Sequence, residues 1–529
     1  MKKRVLSIIL ALGLLAGTFS ACGQSSSSSV APSASGSTAQ EAPVEIDVMV
    51  YDRGDNAPGT TLTENETTKY IQEQVLKEKN VIVNFVGVPR TEAEDKLTAM
   101  LAGGTAPDLV MSYERPLFTN YASQGGLKDL TDLIDEYGQN LKETLADTNY
   151  AGQIDGRQYA VMTSRSRQQT RHMAFIRKDW LDALGLPVPT TKEELIDTLY
   201  QFKEKDPANL GENCIPFAMT GRQASEQYLM FVSAYATDTS EESKYLYNES
   251  TRMLMDGCKE GFRVLNEMYN DGIISKDFAV DTQSEKFGQD IANGYVGFFI
   301  DDIWREWDLG HIGTLRQNNP EAQYIPLNIF TNADGVIENV AISSYGAYKM
   351  VPATTSDEKA AAVVKYLDWL AVEENSLSVQ YTPDYIIDED GIPMGPTDEE
   401  IREKGYAVTA GDFNLVTQNY AFNNDMDKLT TSYLRYDWKA DFTREEVRAL
   451  LEAQTSDLIN WPVYEAAMPE NAKYGPAVKT ACVEMAFKAI AAPEGQFDAV
   501  YEAEAQKVEQ AGFDKILEEN KAYCEEHLA

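Results

Sequence analysis

At 529 residues, the chain is long enough for more than one hydrophobic core, since single cores stop growing near roughly 250–300 residues. Its 43% hydrophobic and 25% charged residues fit a soluble globular protein, and a formal net charge of −38 disfavours nucleic acid and anionic membrane surfaces as partners. Only three histidines, His172, His311 and His527, are spread over the whole length. They argue against a His-based metal centre or a His-driven hydrolase.

The N-terminus carries the strongest local signal. Lys2, Lys3 and Arg4 form a basic cluster, and residues 5–16 are apolar but too few to span a bilayer. Ser20 and Ala21 then precede Cys22. This resembles the lipobox of bacterial lipoproteins, with Phe19 where leucine is usual. The resemblance implies that residues 1–21 are a signal peptide and that Cys22 carries the lipid. Residues 22–43 are Ser-, Ala- and Pro-rich without apolar periodicity, so they read as a flexible tether. Cys214, Cys258, Cys482 and Cys524 are widely and irregularly spaced and read as buried single thiols.

Residues 46–51 (IDVMVY) read as a first strand ending in Asp52, Arg53 and Gly54. Residues 68–79 follow as a helix and 81–86 (VIVNFV) as a second strand. Thr91 and Glu94 have capping-box spacing ahead of a helix whose Leu97, Met100 and Leu101 share a face. Gly103 and Gly104 end it, because glycine takes left-handed geometry at little cost. Residues 108–111 (DLVM) form a third strand, with Tyr113, Glu114 and Arg115 at its exit. This βαβαβ order predicts a parallel sheet with helical crossovers, in which ligands bind outside the carboxyl ends of the strands.

Residues 153–159 predict a hairpin turning on Asp155 and Gly156. A basic loop with Arg165, Arg167 and Arg171 leads to a strand at 173–176 and a helix from Lys178. Thr191 with Glu194, Thr397 with Glu400, and Thr443 with Glu446 repeat the capping-box spacing. Residues 260–270 and 287–293 read as helices. Residues 295–300 (YVGFFI) form a buried strand ending in Asp301, Asp302, Trp304, Arg305 and Trp307. Residues 341–350 are extended, and 358–371 is a helix with Ala360, Val363, Val364, Leu367 and Leu370 on one face. Residues 386–394 hold a second Asp-Gly turn, and 443–528 is mostly helical.

Four stretches in this order resemble the extracellular solute-binding proteins of bacterial ABC importers, the family-1 type that binds maltose and other oligosaccharides. They are residues 101–110 (LAGGTAPDLV), 175–191 (FIRKDWLDALGLPVPTT), 291–299 (IANGYVGFF) with Trp304 and Trp307, and 348–370. The resemblance implies an α/β protein of two periplasmic-binding-protein-like lobes joined by crossing hinge strands. Residues 44–170 and 341–410 would form lobe one, and 171–340 and 411–529 lobe two. It further implies a monomer tethered to the outer face of the membrane through Cys22. The protein would capture an oligosaccharide between its lobes and deliver it to a permease driven by an ATPase, without cofactor or chemical step. Some members, alginate binders among them, carry a calcium loop. Its equivalent here, residues 206–216, offers Asp206, Asn209, Glu212 and Asn213, whereas calcium takes six to eight oxygens. No metal is expected.

Sugar rings present apolar faces that stack on aromatics and hydroxyl rims that hydrogen-bond to polar side chains. The candidate contacts are therefore Tyr51, Asp52 and Arg53 after the first strand, Tyr113, Glu114 and Arg115 after the third, Trp304 and Trp307, and Tyr345 and Trp438. Arg165 and Arg167, with Arg171, stand out in so acidic a chain. Guanidinium forks suit carboxylates and would favour an acidic oligosaccharide; pairing with nearby surface acids is the simpler and preferred reading. No catalytic residue is assigned. Two other readings stay open at this point: a surface glycoside-acting enzyme with a carboxylate pair about 5–10 Å apart, and a non-transport adhesion or sensor lipoprotein.

Overall fold

The strands of the two main sheets are β1 (Val44–Asp52), β2 (Val81–Pro89), β3 (Val110–Ser112), β4 (Ala160–Ser164), β5 (His172–Arg177), β6 (Ile215–Ala218), β7 (Val296–Asp302), β8 (Tyr324–Leu327) and β9 (Tyr345–Met350). They come from a computed structural model that describes residues 42–165, 167–223, 226–417, 425–435 and 442–528. Cys22, the leader and Trp438 lie outside the described residues.

β1 and β2 pair in parallel from Val44 opposite Val81 to Asp52 opposite Pro89. In β1, Ile46, Val48, Met49, Val50 and Tyr51 are all buried, as expected of a strand covered on both faces. Leu109 pairs in parallel with Val48 and leads into β3. β9 then runs antiparallel between β3 and β4, with Tyr348 opposite both Ser112 and Met162. The first sheet thus has the order β2-β1-β3-β9-β4. The Asp357–Leu370 helix covers it with the expected face of Ala360, Val363, Val364, Leu367 and Leu370, and buries Trp369 as well. Each large aliphatic side chain withdrawn from water in this way contributes about 1.5–3 kcal/mol. In the second sheet the order is β8-β5-β7-β6, antiparallel except for β6 beside β7.

The local signals mostly hold. Asp155 and Gly156 both have positive φ, 50° and 74°, in the hairpin of Gln153–Ile154 with Arg157–Gln158. Thr397 with Glu400 and Thr443 with Glu446 form reciprocal capping boxes. Thr91 and Glu94 do not. A 3-10 turn at Arg90–Glu92 precedes the Ala93–Gly103 helix, and Glu94 instead accepts the Ser112 hydroxyl at 2.6 Å. Glu94 is drawn under the end of β3, and burial raises its carboxyl pKa. The hydroxyl of the neighbouring strand therefore wins over a cap on its own helix. Gly104 closes that helix at φ 64°.

One apolar core combines residues from 46–162 with residues from 347–416, and a second combines 174–330 with 478–516. Phe413, Leu415 and Val416 belong to the first core, which corrects the assignment of 411 onward to the second lobe. The reason is strand pairing along β4. The Ser164 N–H donates to the Val416 carbonyl at 2.8 Å, and the Thr163 hydroxyl to the Leu415 carbonyl at 2.9 Å. Between the cores, residues 167–171 and 339–344 cross side by side. Thr170 bridges Ala341, and the Ile342 N–H donates to the Gln169 carbonyl at 2.8 Å. The chain returning through 454–460 joins both, through Thr170 N–H to Gln454 and Ala341 N–H to Ile459, each 2.9 Å.

Candidate ligand-binding site

The parallel pairing of β1 with β2 and with Leu109 turns three strand exits to one side of the first sheet. Tyr51, 2% exposed, ends β1 and stacks on Tyr113, 37% exposed, just past β3; the ring centroids are 6.1 Å apart at an interplanar angle of 15°. Arg90 follows β2 directly. Its guanidinium lies 4.5 Å from the Tyr51 ring centroid and 5.3 Å from that of Tyr113. The Tyr51 hydroxyl is buried and has no hydrogen-bond partner among the described residues. Burial and then the Glu94 carboxylate hold its pKa above the usual phenol range. Tyr51 thus forms the buried floor of the cluster, and Tyr113 is its exposed ring.

Beside this cluster, Arg53 forms a bidentate pair with Asp412, at 2.6 and 2.8 Å. Asp52 accepts the Gly54 N–H at 2.8 Å and shapes the turn out of β1. A second aromatic group forms where β9 begins: Tyr345 meets Tyr150 and Tyr348 edge-on, each at 6.1 Å between centroids. Tyr150 is exposed.

In the second sheet, β7 ends at Asp302, opposite His172 at the start of β5. The Arg171 guanidinium donates to Asp302 at 2.8 Å, the His172 imidazole lies 3.3 Å from the same oxygen, and Arg222 sits 3.7 Å from Asp302 and 3.8 Å from Asp301. Trp304 is half-buried and packs on Tyr433 at 5.0 Å between centroids. Arg165, just ahead of the crossing segment, donates to the Ser343 carbonyl at 3.3 Å. Burial lowers its pKa, and Tyr113, Tyr345 and Arg171 lie near enough to act on its charge. A cavity of about 160 Å³ opens there, lined by Arg165, Arg171 and Arg252 and by Glu226, Glu249 and Glu338.

Several sequence-based candidates have other duties. Trp307 is 1% exposed and packs on Phe175 and Phe442, at 4.8 and 6.1 Å between centroids. The short Arg305–Asp308 helix turns it inward, so it serves the core and offers no stacking face. Arg115 donates to the Ala151 carbonyl, the Tyr348 hydroxyl and the Tyr464 carbonyl, which makes it a strut. Glu114 is exposed ahead of the Arg115–Ser123 helix. Arg167 donates to Gln169 and Gln454 within the crossing segments. Trp438 cannot be placed, since it lies outside the described residues. Arg90, Tyr150, Arg222 and Arg252 were missed. Arg90 was within reach, because it holds after β2 the place that Asp52 and Arg53 hold after β1. The other three sit where no periodicity marks them.

Residues 206–217 keep the turn of a calcium loop. The Asp206 carboxylate accepts the Leu210 and Gly211 N–H groups at 2.8 and 2.7 Å, and Gly211 has φ 61°. Yet Ala208, Leu210 and Phe217 hold the third, fifth and twelfth places, where such a loop needs oxygen ligands, and Phe217 is fully buried. The residues present do not fit the ion.

Two α/β lobes, side-by-side crossings and strand ends grouped around the crossing define a two-lobed ligand-binding protein. A family model for the bacterial extracellular solute-binding proteins matches residues 59–376, and the chain belongs to that family. Its similar relatives include the fructooligosaccharide ABC transporter substrate-binding protein FusA of Streptococcus pneumoniae, 27% identical over 262 residues, which are 46% of this chain and 47% of that protein. The polygalacturonan/rhamnogalacturonan-binding protein YtcQ of Bacillus subtilis is 28% identical over 242 residues, 44% of this chain and 47% of that protein. Lipoprotein LipO of the same species is 25% identical over 227 residues, 41% and 44% respectively. The chain spans about half the length of these relatives. Among solved structures, an HMO-binding, ABC-transporter-associated solute-binding protein from Bifidobacterium longum infantis superposes with a TM-score of 0.64 at 17% identity, over 91% of this chain and 99% of that one. The alginate-binding protein AlgQ2 without calcium gives 0.61 at 16%, over 91% and 98%. At such identities these likenesses show the shared fold.

Proposed function

We propose that this protein is the substrate-binding component of an ABC importer, and that it captures an oligosaccharide between its lobes and presents it to the permease without altering it. The observation that carries this reading is the pair of strand-end groups, one in each sheet, with Arg165 near both. The stacked Tyr51 and Tyr113 beside Arg90 offer an aromatic face. Asp302, Arg171 and Arg222 offer the polar edge. A sugar needs both surfaces at once. Touching both lobes together is also what favours the closed state, since a ligand shifts an equilibrium only by its differential affinity. The names of FusA and YtcQ, which concern fructooligosaccharide and pectic polymers, support a carbohydrate.

On this reading the contacts are Tyr51, Arg90, Tyr113, Arg165, Trp304 and Tyr345, with Asp52, Arg53 and Glu114 at the rim. The lobes divide at 167–171, 339–344 and beyond 417. Cys22 carries a lipid that holds the monomeric protein at the outer face of the membrane; no helix among the described residues is long and apolar enough to cross one. Lipoprotein LipO is a relative whose name agrees with the anchor.

Thermal unfolding against neutral and acidic oligosaccharides tests the ligand class. A ligand at 100 times its Kd adds about 2.7 kcal/mol of stability. If peptides or amino acids shift the melt and no glycan does, the reading is wrong. Palmitate labelling of the full chain and of Cys22→Ser in a lipoprotein-processing bacterium tests the anchor; equal labelling removes it.

A further inference from the structure

A second cavity, of about 480 Å³, lies beyond Arg53 and is unrelated to the hinge. Its volume falls within the roughly 300–1,000 Å³ typical of small-ligand sites. Apart from Arg53, its lining comes from residues 380–412, past the end of the family match at 376.

The lining is mixed in the way a sugar ring asks for. Pro396, Ile401 and Val408 give an apolar side, and Gln380 and Thr382 a polar one. Its charges are self-compensating: the Arg53 guanidinium is held by both oxygens of Asp412, at 2.6 and 2.8 Å. An occupant therefore has no net charge to answer.

Thr382 is the telling residue. It is β-branched yet sits at φ 69°, in the left-handed region that such side chains avoid. It is only 1% exposed, and its hydroxyl is buried without a hydrogen-bond partner among the described residues. Strain and an unanswered hydroxyl are both costs, and such costs gather where a ligand repays them. The conformation is locked from outside. A Cβ on Gly395 would lie 2.8 Å from the Tyr381 carbonyl, so residues 381–382 press directly on a backbone that only glycine allows.

Arg53 connects this cavity to the cleft. It stands two residues past Tyr51 and is close enough to feel both Tyr51 and Tyr113. We infer that the cavity beyond Arg53 is an outer subsite that takes a neutral sugar ring at one end of a glycan whose inner units lie in the cleft. This rests on the oligosaccharide reading above and adds to it a length preference and a neutral terminal unit.

The test is calorimetric titration with two ladders, inulin-type fructo-oligosaccharides and homogalacturonan oligosaccharides, from dimer to heptamer. Wild type is compared with Thr409→Trp, which fills the cavity from a half-buried position, and with the near-isosteric Thr382→Val. The expected result is that wild-type affinity climbs with length in the neutral fructo-oligosaccharide ladder; a climb in the homogalacturonan ladder alone, whose every unit is anionic, overturns the neutral subsite. Thr409→Trp stops the climb, with at least a tenfold loss for the longer members and no change for the shortest that binds. Thr382→Val loses about threefold on the longer members alone. An unchanged length dependence in both variants, or equal weakening at every length, overturns the subsite and leaves the oligosaccharide reading standing. If wild type binds neither ladder, the subsite falls, and the thermal screen across neutral and acidic oligosaccharides decides the parent reading. Should Thr409→Trp melt early, Thr382→Val decides.

Discussion

Lys349 lies in the middle of β9, opposite Met111 on β3 and Val161 on β4. It is 2% exposed, and its ammonium donates to the Ala347 carbonyl at 3.2 Å. Burial, and then the nearby Arg165 charge, push its pKa from 10.5 down to about 7. The folded protein thus releases this proton near pH 7, whereas the unfolded chain holds it to about 10.5. Between those values the unfolded state binds more protons, so stability rises with pH. Below pH 7 both states are protonated and the full cost of the buried charge remains. A shift of this size corresponds to about 5 kcal/mol at pH 6, falling to about 1.5 kcal/mol at pH 9.5. Replacement by methionine removes the charge while filling a similar volume, and replacing buried charge by apolar groups stabilises by roughly 1–4 kcal/mol. Lys349→Met is therefore expected to be the more stable protein at pH 6, with the gap narrowing by a few kcal/mol by pH 9.5. Urea unfolding of both proteins at half-unit pH steps measures the gap, since all other titrating groups cancel in the difference. A gap that is flat with pH, or a less stable methionine variant, refutes the burial argument.

Tyr113→Ala removes the exposed half of the aromatic stack and should weaken glycan binding about tenfold while leaving the melting temperature nearly unchanged; calorimetry with parallel thermal unfolding checks both. Trp307→Ala should do the reverse, costing about 3–5 kcal/mol in urea unfolding. Lost binding at unaltered stability would return Trp307 to the site. Calcium should leave the melt of the wild-type protein in place, because Ala208, Leu210 and Phe217 supply no oxygen ligands from their side chains; a rise of several degrees at millimolar calcium, absent in Asp206→Ala, would show that the loop still binds.

Elements whose signal is local were readable from the residues alone. Capping boxes at Thr397 and Thr443, the Asp155–Gly156 turn and the Gly104 stop depend on a few neighbouring residues, and each forms. Thr91 with Glu94 has the same spacing and fails, because Glu94 has a competing donor in Ser112, which is eighteen positions away in sequence and adjacent only after β3 pairs. The same distinction explains the site. That Tyr51 and Tyr113 end strands follows from pattern. That one is buried and the other exposed depends on Arg90 and Glu94, delivered by β2 and the helix after it. Trp304 and Trp307 are three residues apart beyond one strand, yet a single helical turn leaves one half-exposed and sends the other into the core.

The basic loop shows what this means for specificity. Arg165, Arg167 and Arg171 together suggest a strong preference for an acidic glycan. The fold divides them: Arg171 is matched by Asp302, and Arg167 is engaged by Gln169 and Gln454 inside the crossing. Of the three, Arg165 lines the cavity at the crossing without a carboxylate among its bonded partners in the described residues. One charge-assisted hydrogen bond is worth roughly 1.5–3 kcal/mol, or about 10–150-fold in affinity. Desolvating a uronate among Glu226, Glu249 and Glu338, which line the same cavity, offsets part of it. One added charge-assisted contact, in a cavity lined by three arginines and three glutamates, thus gives a modest bias toward carboxylates and no absolute demand for one. Arg165→Ala should therefore lower the affinity for a galacturonan oligosaccharide by about tenfold and barely alter that for a neutral one. Equal losses on both would mean that Arg165 shapes the hinge and leaves ligand charge unread.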